Sequence, residues 1–274
     1  MNQDFNWKGI QNEVPDLCGG CNDLEDAIGR CDSLEKLFAL WKAAHTSEEN
    51  TGKTADDSRK STFPDLKHFN GEPAVQKEIA KCEYKYSRIE SLRDGIQTNF
   101  CEDGFLEEKE NGCAAGTILF VFRESNISDA VKFTNGKIEF EPSKGFWLKN
   151  EWGQRKEEQE KSGNPYVRFI KQCREQANAE HMQIAVMNLN KRGGFGRCNH
   201  SRLQHYVEKY KPFIQREIEL IKPSIIICGG TFGTVKDLLT NPLSGMEVWD
   251  CYHPGAWRQK DTGIRKWTFY KISE

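Results

Sequence analysis

The chain has 274 residues, of which 29% are charged, and its formal net charge is −2. Its longest apolar run, ILFVF at 118–122, is far shorter than the roughly 20 residues that a membrane-spanning helix needs. Met1 is followed by Asn, Gln and Asp rather than by the basic and apolar segments of a signal peptide, so we expect a cytoplasmic protein.

The charge is distributed unevenly along the chain. Residues 1–115 hold 14 Lys and Arg against 23 Asp and Glu, whereas residues 116–274 hold 25 against 18. The two parts therefore carry net charges of −9 and +7. A basic C-terminal part indicates a domain that binds a polyanion, with an acidic appendage before it, although ordinary scatter of charge is the alternative.

The N-terminal part is predicted to be a mostly helical extension, residues 1–115. Residues 32–44 predict a helix, because Asp32 and Glu35 have the spacing of a capping box and apolar residues recur on one face. The apolar residues of that face are Leu34, Leu37, Phe38 and Trp41. Residues 74–93 predict another helix, and the polar segments 45–62 and 102–116 predict loops.

From residue 117 onward the pattern changes to strands that alternate with helices. The four predicted strands are TILFVF (117–122), QIAVMNL (183–189), SIIICG (224–229) and EVWDCY (247–252). Such unbroken apolar strands indicate a parallel sheet that is covered on both faces. We therefore predict that residues 116–274 form a three-layer α/β/α sandwich around a central four-stranded parallel sheet.

Polar residues and glycines follow each of these strands. They are Glu124, Ser125 and Asn126 after the first, Asn188 and Asn190 at the second, Gly229, Gly230 and Thr231 at the third, and His253 after the fourth. In sheets of this kind ligands bind at the carboxyl ends of the strands. One such turn would need no function, but polar groups at four strand ends predict a binding site.

Four motifs, in this order, resemble the uracil-DNA glycosylase superfamily. They are RESN (123–126), VMNLN (186–190), EIELIKPSIIICGGTF (217–232) and YHPGAW (252–257), and together they cover roughly residues 115–258. The resemblance implies an α/β/α domain that flips a base out of DNA and cleaves its bond to the sugar.

The resemblance also implies roles for individual residues. Glu124 or Asn126 would position the attacking water and stabilise the sugar cation, Asn188 would read the edge of the base, and His253 would donate to the leaving base. Each residue has a structural alternative. Glu124 could pair with an arginine, Asn126 could cap a turn, Asn188 could satisfy a loop, and His253 could pack before Pro254.

Further residues are candidates for contact with DNA. Phe133, Phe146 and Trp147 lie where this superfamily keeps a ring that stacks on the base, and any of them could equally belong to the core. Between residues 190 and 216 there are seven Lys or Arg and one Glu, which suits contact with phosphates or a solvated helix face. The candidates for DNA binding are Lys191, Arg192, Arg197, Trp257 and Arg258.

The cysteines near the N-terminus have the start of a metal-binding pattern. Cys18 and Cys21 are separated by two residues and Cys31 follows, but no second such pair exists in the sequence. With a distant fourth ligand they could hold Zn²⁺, and buried or surface thiols are the alternative. We expect no metal and no cofactor.

The combined prediction is a monomeric, monofunctional DNA glycosylase that uses water as the nucleophile. Its substrate would be a flipped uracil or a modified pyrimidine, such as the glucosylated hydroxymethylcytosine of phage DNA. Arg123 and Gly255 depart from the superfamily's motifs and the connection 127–163 is long, which favours a reshaped pocket and a role in antiviral defence. The alternative is a non-catalytic DNA-binding module. A nucleotide-processing enzyme has less support, because no usual phosphate-binding motif is present.

Overall fold

A computed structural model of the chain describes residues 5–49, 100–106, 116–126, 131–134, 137–140, 165–194, 198, 200–239, 246–254 and 268–271. The helices are Trp7–Glu13, Pro15–Cys18, Leu24–Arg30, Leu34–Glu49, Pro165–Gln176, His200–Lys209, Lys211–Ile221 and Phe232–Leu238. The strands are β1 (Gly104–Phe105), β2 (Thr117–Asn126), β3 (Val131–Thr134), β4 (Lys137–Phe140), β5 (Gln183–Gly194), β6 (Ile225–Gly229), β7 (Glu247–Cys251) and β8 (Thr268–Lys271). In this part of the chain no helix is long and apolar enough to cross a membrane.

The fold is mixed α/β and contains a six-stranded sheet in the order β1-β5-β2-β6-β7-β8. Strand β6 pairs in parallel with β2 on one side and with β7 on the other. The edge strands β1 and β8 are antiparallel to β5 and β7. The four predicted strands occupy the central positions, and the two short edge strands were not predicted. Strands β3 and β4 form a separate antiparallel pair.

Two of the predicted strands continue beyond their apolar runs. Strand β2 extends through the polar residues 123–126, and β5 extends through 190–194. Backbone hydrogen bonds hold a strand in its sheet, and they do not require apolar side chains. The polar residues that were expected to follow these two strands therefore lie within them.

The chain divides into two compact units. The first unit comprises Met1–Glu102, Glu124–Lys144 and Asn190–Arg216, and the second comprises Asp103–Arg123, Gly145–Leu189 and Glu217–Glu274. The predicted domains, 1–115 and 116–274, stay a prediction.

The core of the second unit is built from the apolar runs of the sheet. All residues of β6 are buried, as expected for a strand covered on both faces. The helix Pro165–Gln176 buries Val167, Phe169, Ile170 and Cys173. Phe169 packs against Phe120 and Phe122 of β2 with ring centroids 6.1 and 6.0 Å apart.

The first unit has an aromatic core centred on Trp41. The indole of Trp41 stacks on Phe213 at 5.1 Å and on Tyr210 at 5.9 Å between ring centroids. The predicted helix at 32–44 is confirmed, but it begins at Leu34 and continues to Glu49. The loop prediction for 45–62 is wrong for 45–49, because the helix continues through these residues. His45 is buried there, and its Nε2 lies 2.9 Å from the Tyr206 hydroxyl in a hydrogen bond.

The start of this helix also differs from the prediction. Ser33, not Asp32, accepts the capping hydrogen bond, from the backbone N–H of Lys36 to Oγ at 3.3 Å. Asp32 instead forms an exposed ion pair with Lys36 at 2.9 Å. The serine hydroxyl sits directly before the first helical residue, where a side-chain acceptor reaches the free N–H groups of the first turn. The helix predicted at 74–93 lies outside the described residues.

Candidate functional site

His253 lies just beyond the carboxyl end of β7, among aromatic residues of the second unit. Its ring meets Tyr166 nearly perpendicularly, at 5.7 Å and 89°, and Phe122 at 6.4 Å and 76°. Its Nε2 is 3.4 Å from the hydroxyl oxygen of Tyr166. Phe122 is the last apolar residue of β2, and Tyr166 belongs to the first turn of the helix Pro165–Gln176.

These surroundings keep the imidazole neutral. Burial and, as a smaller contribution, the positive charge of Arg123 together lower the pKa of His253 to about 4. A buried cation costs solvation energy, and a like charge nearby adds repulsion. A neutral imidazole has one nitrogen that donates a hydrogen bond and one that accepts. At neutral pH His253 can therefore offer a hydrogen to an oxygen that gains negative charge.

The turn after β6 fixes one side of this region. Arg123 Nε donates to the carbonyl oxygen of Gly230 at 3.2 Å, and Thr231 Oγ1 donates to the carbonyl of Val121 at 2.9 Å. Gly230 has φ +72, and a Cβ there would lie 3.1 Å from Arg123 Nη2 and 3.2 Å from the Cβ of His253. The left-handed backbone favours glycine at this position, and the close approach of His253 and Arg123 leaves little room for a side chain.

Asn188 is buried and held by a carboxylate. Its backbone N–H donates to Asp103 Oδ2 at 2.6 Å, and its Nδ2 lies 3.4 Å from the same oxygen. Asp103 is itself 1% exposed. This geometry supports the structural alternative for Asn188, in which its amide satisfies a buried neighbour. Its role in reading a base stays a prediction.

In the first unit Glu124 is held by Asn190. Asn190 Nδ2 donates to Glu124 Oε2 at 3.0 Å, and Asn190 Oδ1 accepts from the backbone N–H of Arg192, also at 3.0 Å. Asn190 is buried and Glu124 is half-buried. The amide therefore has both ends engaged, and it orients a carboxylate that is still partly open to solvent.

The two cationic residues that follow Asn190 pack against aromatic rings. Lys191 is completely buried, with Nζ 5.3 Å from the ring centroids of both Phe38 and Trp41. Its ammonium is not at a surface that a phosphate can reach. The prediction that Lys191 contacts DNA is therefore wrong for this structure, in which Lys191 lies in the aromatic core. Arg192 is half-buried, and its Nη2 donates to the Tyr210 hydroxyl at 3.2 Å. The tyrosine therefore orients part of the guanidinium.

The three N-terminal cysteines lie near one another in the first unit. Cys18 and Cys31 are buried and Cys21 is half-buried. Burial raises the pKa of Cys31 to about 11, and the pKa of Cys18 is also raised, so both thiols are protonated at neutral pH. A metal takes the thiolate form. Within the described ranges no group of three or more His, Cys, Asp and Glu side chains is arranged to hold a metal ion.

The remaining predicted residues fall where the structure gives no side-chain geometry. Asn126 lies at the end of β2 and Phe133 lies in β3, but their side chains are outside the described part of the chain. The other residues in this group, wholly outside it, are Phe146, Trp147, Arg197, Trp257 and Arg258. Their roles stay predictions.

Two residues that contact predicted site residues, Tyr166 and Asp103, were missed by sequence reasoning. Tyr166 lies among the apolar residues of the helix Pro165–Gln176, and nothing in its sequence neighbourhood signals a contact with His253. Asp103 lies within an acidic, glycine-containing segment that predicted a loop. In both cases the partner is more than 80 residues away in sequence, at separations of 87 and 85.

Comparison of the chain with models of protein families, with curated proteins and with solved structures gives no match.

Proposed function

We propose that this chain is a monofunctional DNA glycosylase, a divergent member of the uracil-DNA glycosylase superfamily on a three-layer α/β/α sandwich. It would hydrolyse the bond between a flipped pyrimidine and its deoxyribose and leave an abasic site. The observation that carries the proposal is the position of His253 at the carboxyl end of β7, packed beside Arg123 and Gly230, where burial lowers its pKa and favours the neutral imidazole. DNA is the partner, and the chain would act as a monomer.

His253 supplies what the leaving base requires. As the bond to the sugar breaks, the base takes the electron pair, and negative charge collects on a carbonyl oxygen of its ring. A neutral imidazole donates a hydrogen bond to that oxygen and pays little for reorganisation, because its surroundings already fix it. One such preorganised donor contributes roughly a hundredfold to a thousandfold in rate.

Glu124 is the group assigned to the sugar. The sugar gains positive charge in the transition state, and a carboxylate can stabilise that charge or orient the water that attacks it. The hydrogen bond from Asn190 Nδ2 to Glu124 Oε2 holds the carboxylate in one orientation. The half-buried position of Glu124 strengthens its electrostatic effect relative to an exposed carboxylate.

The substrate class is uracil or a pyrimidine with an added polar group. Arg123 stands where the superfamily has glycine, and its side chain lies against Gly230 beside His253. A guanidinium carries several donors in a fixed plane. It would suit a substituent that is rich in hydroxyl groups, such as the hexose on the modified cytosine of phage DNA.

The test is a base-excision assay on a panel of substrates. One arm uses oligonucleotides with uracil, a thymine mismatch or hydroxymethylcytosine, and the other uses natural glucosylated phage DNA. Alkali reveals the abasic sites. We expect excision from one substrate, with large losses in His253→Asn and Glu124→Gln. The exposed His181 lies in the same unit, so His181→Asn is the matched control and should keep full activity.

The second candidate is a DNA-binding module without catalysis. The engagement of the Asn188 amide by Asp103 favours it, because an amide committed to a buried carboxylate is poorly placed to read a base. This candidate predicts that DNA is bound and that no abasic sites form on any substrate. It also predicts equal DNA affinity in the parent protein, His253→Asn and Glu124→Gln.

A further inference from the structure

The hydroxyl of Tyr166 is aimed at the ring nitrogen of His253 inside the second unit. Its oxygen is 3.4 Å from Nε2, a long hydrogen bond. The ring of Tyr166 also packs edge-on against Phe122, with centroids 5.3 Å apart. Burial raises the pKa of Tyr166, so the phenol keeps its hydrogen at neutral pH. A half-buried phenol fixed by two rings is placed to orient the imidazole.

The direction of this hydrogen bond decides what His253 can offer. If the Tyr166 hydroxyl donates to Nε2, the hydrogen of the neutral imidazole is on Nδ1, which can then donate elsewhere. If Nε2 donates to the hydroxyl instead, Nδ1 is an acceptor only. Of these two forms, only the first lets the imidazole itself donate to another group while it contacts Tyr166.

We propose that Tyr166 is a positioning residue for His253, whose hydroxyl donates to Nε2 and holds the neutral imidazole in the form that carries its hydrogen on Nδ1. A donor that hydrogen-bonds the accepting nitrogen polarises the ring and strengthens its N–H as a donor. The assignment of that N–H to a leaving base rests on the proposed function. The contact between the two side chains does not rest on it, and the direction from hydroxyl to Nε2 is tested separately by the titration below.

Within the described part of the chain, groups from three elements face His253. Arg123 approaches from β2, Tyr166 from the helix Pro165–Gln176, and Gly230 from the turn after β6. Arg123 is the charged group among them, and it opposes protonation of the imidazole. A hydroxyl that donates to Nε2 opposes protonation as well, because a protonated ring has no accepting nitrogen. Both effects act in the same direction.

The first experiment is NMR titration of His253 in the parent protein and in Tyr166→Phe, which keeps the ring and removes the hydroxyl. Nitrogen chemical shifts identify the protonated nitrogen. We expect hydrogen on Nδ1 in the parent protein, and a higher pKa for His253 in Tyr166→Phe because a bond that favours the neutral ring is lost. The exposed His181 in the same spectra serves as the internal reference.

Hydrogen on Nε2 in the parent protein would overturn the proposal without any substitution. A His253 pKa that is lower in Tyr166→Phe would also overturn it, because that result means that the hydroxyl accepts a hydrogen bond from the ring. An unchanged pKa would overturn it too, because that result means that the tyrosine is only a packing group. Unfolding curves of the two proteins show whether Tyr166→Phe is folded. If it is not, the nitrogen chemical shifts of His253 in the parent protein still show which nitrogen carries the hydrogen.

The second experiment is single-turnover excision with Tyr166→Phe. Loss of one neutral hydrogen bond predicts a rate reduction of about fivefold with unchanged affinity for DNA. If the parent protein excises no base, the proposed function fails while the titration still tests the role of Tyr166. If the parent protein is active and Tyr166→Phe equals it in rate and in its pH profile, the role of Tyr166 fails and the proposed function stands.

Discussion

Asn190 and Glu124, on strands β5 and β2, are joined by a hydrogen bond of 3.0 Å from amide to carboxylate. Asn190 also accepts from the backbone N–H of Arg192, which fixes which end of the amide is the oxygen. The amide therefore presents N–H to Glu124 and cannot rotate without losing both bonds. Glu124 is therefore a predicted site residue of the first unit whose orientation the structure defines.

Asn190→Asp should weaken both the site and the fold. The change replaces an N–H donor with an oxygen and places two carboxyl groups in contact, so the native state loses a charge-assisted hydrogen bond. We expect the free energy of unfolding to fall by about 1.5–3 kcal/mol. Urea titration measures it. The matched control is Asn12→Asp, the same substitution at an exposed position of the first unit, which should leave stability within about 0.5 kcal/mol.

Asp103→Asn tests the buried carboxylate of the second unit. Asp103 Oδ2 accepts from the backbone N–H and from the amide of Asn188, and a neutral amide would weaken the first bond and oppose the second. We expect a loss of about 2 kcal/mol in the free energy of unfolding. The exposed neighbour Glu102 provides the control Glu102→Gln. Equal stability of the two variants would mean that the hydrogen bonds of Asp103 contribute nothing net.

The glycine after β6 gives a test of close packing around His253. Gly230→Ala places a Cβ 3.1 Å from Arg123 Nη2 and 3.2 Å from His253 Cβ, at a φ of +72. Left-handed backbone alone costs an alanine about 1–2 kcal/mol, and the crowding adds to it. We expect a loss of at least that size in thermal or urea unfolding.

Gly233→Ala is the control for this substitution. Gly233 lies in the helix Phe232–Leu238, and a Cβ there would meet no atom of the described residues within 4 Å. Because alanine favours a helix over glycine by up to about 1 kcal/mol, this variant should be as stable as the parent protein or more so. A similar loss in both variants would contradict the packing described around Gly230.

The stability of the fold should depend on pH through His253. Its folded pKa of about 4 lies below the ordinary value of 6.5, so the unfolded chain binds a proton more readily. The free energy of unfolding is therefore highest above about pH 6.5 and decreases as the pH falls toward 4, because the unfolded chain takes up a proton at this histidine before the folded chain does. We expect this decrease to be about 1–2 kcal/mol, because solvent screens a ring that is not fully buried.

The comparison that isolates this effect is His253→Asn, which does not titrate in that range. Urea unfolding at pH 7.5 and at pH 5 should show a larger loss of stability for the parent protein than for the variant. Exposed histidines and carboxylates contribute equally to both proteins and cancel in the difference. Parallel pH dependence of the two proteins would show that His253 is not held neutral by its surroundings.

The sequence was sufficient for the apolar elements of the fold. The run SIIICG predicts a strand, and β6 is Ile225–Gly229 with every residue buried. Periodicity could not give the ends of β2 and β5, because both strands continue through polar residues, 123–126 and 190–194. Strand β1 has two residues, which is too short for any pattern to appear.

The candidate site was predictable only in part. His253 follows a strand whose apolar pattern is clear, so its place at the carboxyl end of β7 could be expected. Its contacts with Tyr166 and Arg123 depend on how separate elements pack, and local spacing carries no information on that. The same holds for Lys191, where a cation in a polar segment predicted a surface position, while the aromatic core around Trp41 buries it.

The exposed aromatic residue next to His253 gives a last prediction, about DNA binding. Tyr252 is 63% exposed, whereas Cys251 and Pro254 on either side of the pair are buried. A ring that is open to solvent beside the proposed site can stack on a nucleobase, and such stacking contributes about 1–3 kcal/mol per base. We expect Tyr252→Ala to weaken binding to single-stranded DNA by roughly tenfold and Tyr252→Trp to preserve it.

Since stacking involves no counterions, the dependence of affinity on salt should be the same in all three proteins, as fluorescence titration at several salt concentrations would show. Equal affinity of the alanine and tryptophan proteins would remove Tyr252 from the proposed DNA interface.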